Sequence, residues 1–135
     1  MTVSTHKISG VVQATSTITF SGACVADETI VIVDHAGLSK TYTAKGSTTA
    51  GSLQFINTDA AAAATALKLC IDNAAGHTAS SILVVDDGAG KLTLTQLTAW
   101  NVHTNGTSAT SVTNGLTNVT VTQPSGPTVK RDGGT

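Results

Sequence analysis

Four histidines, two cysteines and a few paired acids are the side chains of this chain with chemistry to offer. His6, His35, His77 and His103 could ligate a metal or carry a proton. In a sequence, such ligation shows as two His at i, i+4 on a helix or as C-x-x-C, and neither spacing occurs. All four sit in turns or at element ends, so they read as solvated turn residues. Asp86-Asp87-Gly88-Ala89-Gly90 could offer oxygens to calcium. It lacks the further alternating ligands and terminal Glu of an EF-hand loop, and a hairpin turn explains the same letters. Asp27-Glu28 and Asp86-Asp87 could support paired-carboxylate chemistry only in a cleft that raises one pKa. Beside turns they read as solvated acids. No G-x-S-x-G elbow and no GxxxxGK[ST] loop is present. Cys24 and Cys70, far apart and in unlike contexts, read as free, buried thiols. Asn105-Gly106-Thr107 and Asn118-Val119-Thr120 match the glycosylation sequon, which matters only to a chain that meets that machinery. The expectation is no catalytic residue, no cofactor and no metal ligand.

The elements that would position any site are mostly strands. Residues 15–20 (TSTITF) alternate polar and apolar, which is the strand period. Residues 28–33 (ETIVIV) form a β-branched run too short for a helix, and residues 39–44 (SKTYTA) alternate again. Asp34-His35-Ala36-Gly37 between them supplies turn formers, so the two runs predict a hairpin. Residues 53–56 read as a short extended segment. An Ala-rich helix is predicted over about 59–75, N-capped by Thr58 or Asp59. Ala63, Leu67, Cys70, Ile71 and Ala74 share one face of a 3.6 period, and Lys68 and Asp72 pair on the other side. Gly76 is the expected left-handed residue that ends the helix. Residues 78–85 and 91–97 predict a second hairpin around Asp86 to Gly90, and residues 119–122 a last strand. The expected fold is α+β, a mainly antiparallel sheet of five or six strands with the helix packed on one face.

Composition narrows the function classes. Only 11% of the 135 residues are charged, against roughly a quarter in an ordinary soluble domain, and 25 are Thr. A β-branched hydroxyl side chain is stiff at χ1 and suits a half-exposed sheet. A net charge of −1 gives no steering toward nucleic acid or anionic lipid, and 3% aromatics is too few for a base-stacking platform. No run approaches the ~18 apolar residues of a membrane span. Residues 1–10 lack an apolar h-region, so no signal peptide is expected and synthesis in a cytosol is. The organisation reads as an arm (1–14), one domain (15–123) and a tail (124–135).

Glu28-Thr29-Ile30-Val31-Ile32-Val33-Asp34-His35-Ala36-Gly37, then Lys40-Thr41-Tyr42-Thr43, set one pattern. The helix ending Cys70-Ile71-Asp72-Asn73-Ala74-Ala75-Gly76-His77 follows, then Leu92-Thr93-Leu94-Thr95-Gln96. This order resembles a module of tailed-bacteriophage virion proteins, over about residues 15–123. In that pattern a strand ending TD-x-x-G pairs with a K-T-Y strand, followed by an A-x-x-L-x-x-A-I-N helix and a G-x-L-T-L-T-Q strand. The chain departs in three places. Ala44 stands where an aromatic often closes the T-Y-x-F strand, Asp72 precedes the Asn of the I-N element, and Trp100-Asn101-Val102 replaces a Gly-rich turn. The resemblance implies a building block of a head or tail and carries over no catalytic residue.

The resulting expectation is a non-enzymatic virion structural protein, foremost a capsid decoration or cement protein. Its partners would be the major capsid protein lattice and copies of itself, as a trimer or other small symmetric oligomer. A tail or baseplate component is the alternative within that class. A surface carbohydrate-binding module is the alternative outside it, with Tyr42, Trp100, Phe20 and Phe55 the aromatics available to stack on sugars. Lys130 and Arg131 give the tail a local point of electrostatic grip. Trp100 reads as core edge or interface anchor. These three are the candidate interface residues.

Overall fold

The computed structural model describes residues 15–34, 36–96 and 111–125. Its elements run β1 (Thr15–Phe20), β2 (Thr29–Val33), β3 (Ser39–Lys45), a 3-10 turn (Ala50–Ser52) and β4 (Gln54–Ile56). Then come α1 (Ala60–Asp72), β5 (Ile82–Asp86), β6 (Lys91–Gln96), β7 (Ser111–Asn114) and β8 (Val119–Ser125). The α+β class holds, mainly sheet with one Ala-rich helix. Both expected hairpins form, β2 with β3 and β5 with β6.

The strands divide between two four-stranded sheets, ordered β5-β6-β1-β8 and β4-β3-β2-β7, where one sheet of five or six was expected. The first is antiparallel throughout; the second carries one parallel pair, β3 with β4. Burial explains the division. Ile18 and Phe20, Ile30 and Ile32, Tyr42 and Ala44, Ile82 and Val84, Leu92 and Leu94 all bury alternate side chains in one core. A helix of 13 residues is too short to cover that many apolar strand faces, so the sheets cover each other. Phe20 of one sheet meets Phe55 of the other edge-on, with ring centroids 6.2 Å apart. α1 closes the flank, packing on β4 of one sheet and on β5, β6 and β1 of the other.

β8 contains a bulge. Thr17 pairs with Thr122 and Thr15 with Ser125, so β8 spends one more residue than β1 over the same rise. Pro124 falls in that bulge, where its missing N–H costs no ladder bond. The strand therefore runs into the stretch read as tail.

Asp59 caps α1, its Oδ1 accepting from the Ala62 amide at 2.8 Å. Ala63, Leu67, Cys70 and Ile71 are buried as their spacing requires, together with Ala64 and Ala66. The helix ends earlier than expected, and Gly76 does not end it. Asn73, the C-cap, is extended at φ −67° and ψ 152°, and Ala74 is exposed. The left-handed residue is Thr78 at φ 68°, whose amide donates to the Ile71 carbonyl at 2.8 Å. Gly76 is required for a different reason. A Cβ there would lie 2.3 Å from the Cys70 carbonyl oxygen and 2.8 Å from that of Ile71. The chain after the helix folds back so closely over its last turn that only glycine fits.

Candidate interaction surface

Beyond the helix the returning chain carries His77, which is buried and not a solvated turn residue. The only tyrosine sets its place, because a buried phenol needs a partner for its O–H. Tyr42 on β3 is fully buried, and its hydroxyl lies 2.7 Å from His77 Nδ1. His77 Nε2 lies 3.0 Å from the Leu38 carbonyl, which can only accept. In the neutral ring Nε2–H therefore donates to Leu38, and Nδ1 accepts the Tyr42 proton. Burial pushes the imidazole below its ordinary pKa, against the opposing pull of the Leu38 carbonyl and Asp34. Burial pushes the Tyr42 phenol up.

Asp34, buried at the end of β2, organises the same corner. Oδ1 accepts from the Ala36 and Leu38 amides at 2.9 Å each, and Oδ2 accepts from the Ser81 hydroxyl at 2.8 Å. Burial acts to raise this carboxyl, but those donors outweigh it and hold the pKa below the usual carboxylate value. Ser, His and Asp thus meet without forming a triad. The serine donates to the carboxylate, and both imidazole nitrogens are occupied. The cluster pins the β2–β3 turn to the segment joining α1 to β5. It offers no nucleophile.

The acid pairs are equally committed. Asp86 Oδ1 accepts from the Gly88 amide at 2.9 Å and Oδ2 from the Thr65 hydroxyl at 2.6 Å. Asp87 Oδ1 accepts from the Ala89 and Lys91 amides at 2.8 and 2.9 Å, which makes a hairpin turn. Glu28 grips the β7–β8 turn through the Thr117 hydroxyl at 2.6 Å and amide at 2.7 Å, which lower its pKa. Asp27 pairs with Lys45. Among the described residues no group of three His, Cys, Asp or Glu could hold a metal, and no helix is long and apolar enough to cross a membrane. Cys24 and Cys70 are buried free thiols. Burial pushes the Cys70 thiol up to about 11.

The surface with a regular design is the outer face of the β5-β6-β1-β8 sheet. Register places Thr95 beside Thr15, Thr93 beside Thr17 and Lys91 beside Thr19. Thr17 then meets Thr122 and Thr19 meets Thr120 on the other side. Three adjacent strands thereby present a grid of threonines. Its spacing is about 4.8 Å between strands and about 7 Å along them. Thr15, Thr120 and Thr122 are exposed, and the others are partly so. Of these positions only Lys91 is charged. β5 continues the face with Leu83 and Val85. Composition showed the threonine excess, and alternation in TSTITF and KLTLTQ showed one face per strand. Neither showed that these faces join.

Of the aromatics available to a sugar site, Tyr42, Phe20 and Phe55 are core. Trp100, Lys130 and Arg131 lie outside the described residues, as do His6, His35 and His103. In comparisons with known proteins, no family model, curated protein or solved structure matches this chain.

Proposed function

We propose that this chain is a non-enzymatic structural protein of a virion, which decorates a capsid lattice and stabilises it. The threonine grid carries the reading. Each hydroxyl both donates and accepts, and each side chain is stiff at χ1, so the face presents ordered polar contacts at small entropic cost. A single such contact is weak, but many copies engaging a repeating lattice gain through effective concentration. A face nearly free of charge also lets identical subunits lie side by side without mutual repulsion. The resemblance to tailed-phage modules supports the same class. The polar clusters argue against a catalytic role, since their groups bond one another and not an open cleft. Burial of Tyr42, Phe20 and Phe55 disfavours sugar stacking.

The test is co-sedimentation of the purified chain with intact phage heads, followed by its location in an electron-microscopy map. Binding to heads is expected. Changing Thr15 and Thr120 together to Lys, two exposed positions that are not paired with each other, should reduce occupancy at least about tenfold while leaving the melting temperature within a few degrees, as for surface substitutions. Density in the tail alone would move the assignment to a tail component. A glycan-array signal without head binding would overturn the proposal.

A further inference from the structure

Three of the five large hydrophobic side chains exposed among the described residues gather around one strand. Leu83 and Val85 on β5 are 44% and 53% exposed, and Leu69 on α1 is 55% exposed. Thr65, one turn before Leu69, bonds Asp86, so that face of the helix runs along β5. Among the described residues β5 is also the end strand of its sheet.

Each of two other sheet ends carries a device against strand pairing. β4 has its Gln54 carbonyl bonded by the Cys70 thiol at 3.3 Å, beneath α1. β8 carries Pro124 in its bulge and has its Val119 carbonyl capped by the Asn114 side chain at 2.8 Å. β7, the remaining end strand, is only four residues long. β5, with sequence ILVVD, has neither proline nor lysine nor a bulge. Asp87 donates its amide to Lys91 on β6, so by alternation Leu83 and Val85 also turn their backbone groups to β6. The amide and carbonyl of Val84 then face the edge that no described strand pairs.

We propose that this edge is a self-association site, where β5 pairs antiparallel with β5 of a second copy about a twofold axis through Val84. Three features select that partner. The edge is self-complementary, since a twofold at Val84 lets the two Val84 residues exchange N–H···O bonds and sets Leu83 opposite the second copy's Val85. Leu83 and Val85 of the two copies then pack side by side across the seam, shielding each other's flanks, and the outer faces of the two sheets join across it. Charge selects the direction. Asp86, the one ionised group on the strand, would stand about 5 Å from its counterpart in a parallel pairing. In the antiparallel pairing the two lie four residues apart, about 14 Å, beyond the screening length of about 8 Å. This inference does not rest on the virion reading and fails or holds separately from it.

Sedimentation of the full chain over a range of concentrations is the first measurement. A monomer–dimer equilibrium is expected. Changing Leu83 and Val85 together to Lys should weaken it at least tenfold, with helix content unchanged because both side chains are exposed. The register is read by cysteine pairs. Leu83 and the second copy's Val85 form a non-hydrogen-bonded pair with Cα atoms about 4.5 Å apart, within the range a disulfide spans. Leu83 and its own counterpart lie about 8 Å apart, too far. A mixture of Leu83→Cys and Val85→Cys chains should therefore cross-link under mild oxidation, and either alone should not. Cys24 and Cys70 are present in every sample and cancel. The proposal is overturned by a chain monomeric at all concentrations, which would mean another segment covers the edge. It is equally overturned by a trimer indifferent to the two lysines, or by single variants that cross-link as well as the mixture.

Discussion

Gly76→Ala should be among the most damaging single-methyl changes in the molecule. The added Cβ would sit 2.3 Å from the Cys70 oxygen, 2.8 Å from the Ile71 oxygen and 3.1 Å from the Tyr42 hydroxyl. The first two are backbone atoms and both are in use. Cys70 accepts from the Asn73 amide at 3.3 Å and Ile71 from the Thr78 amide at 2.8 Å. Relief therefore means lifting residues 73–78 off the helix end, which also stretches the two bonds of His77. Overpacking costs about 1–3 kcal/mol, and each weakened hydrogen bond adds roughly 0.5–1.5 kcal/mol, so about 3–5 kcal/mol is expected. That corresponds to a fall in Tm of about 10–20 °C, read by calorimetry or circular dichroism. Gly46→Ala is the control, with nothing within 4 Å of its added carbon, and should shift stability by no more than about 0.5 kcal/mol. Gly76→Asn separates close approach from backbone conformation. Asn tolerates the left-handed region, so it would be accepted at a left-handed cap. Against a close approach it is at least as harmful as Ala. A stable Gly76→Ala protein, or rescue by Asn, would refute the reasoning.

Leu67→Ala, at a fully buried position on α1, should cost about 2–5 kcal/mol by chemical denaturation. Ser16→Ala should stabilise the fold by about 1 kcal/mol, because the buried Ser16 hydroxyl has no hydrogen-bond partner among the described residues. His77 has a lowered pKa in the folded state, so the unfolded chain takes up its proton first and stability should fall as pH drops below about 6.5. His77→Gln should flatten that part of the stability curve. It should leave the further loss at more acidic pH, below the ordinary carboxylate range, as the lowered Asp34 carboxyl takes up its proton. Unfolding midpoints with and without reductant should coincide, since Cys24 and Cys70 are free, and a loss on reduction would reveal a disulfide.

What the sequence made legible is what lies within about ten residues. The two hairpins follow from period-2 alternation beside turn formers. α1 follows from an Ala run with Leu67, Cys70 and Ile71 on one face and Asp59 ahead of it. Alternation states which side of a strand is apolar, but it does not name the strand's neighbour. β1 pairs with β6 and β8, and β2 with β7, across separations no local pattern encodes. The division into two sheets was hidden for that reason, and with it the joining of three threonine faces. Gly76 and His77 show a second limit. A glycine after a helix is the ordinary sign of a left-handed cap, and a histidine beside it the ordinary sign of a solvated turn. The lone Tyr42, on the apolar face of its strand and needing a partner for its hydroxyl, was the signal that could have drawn His77 inside.

The same locality explains why the two proposals lean on different kinds of residue. Core positions such as Ile18 or Leu92 are determined by burial, and any sequence forming this sandwich must place apolar groups there. The outward positions of β1, β6 and β8 are under no such demand, and Lys or Glu would serve solubility as well as Thr. Sheet propensity favours Thr over Lys or Glu at each of these positions taken singly, but it does not require that nearly every one of them be uncharged. Leu83 and Val85 are the complementary case, apolar where the fold gains little from it. Lys at either position would blunt the strand end against pairing. On the two proposals together, hydroxyls across the centre of one sheet face would meet a polar lattice, and the apolar edge beside them, open among the described residues, would join a neighbour through continuous sheet.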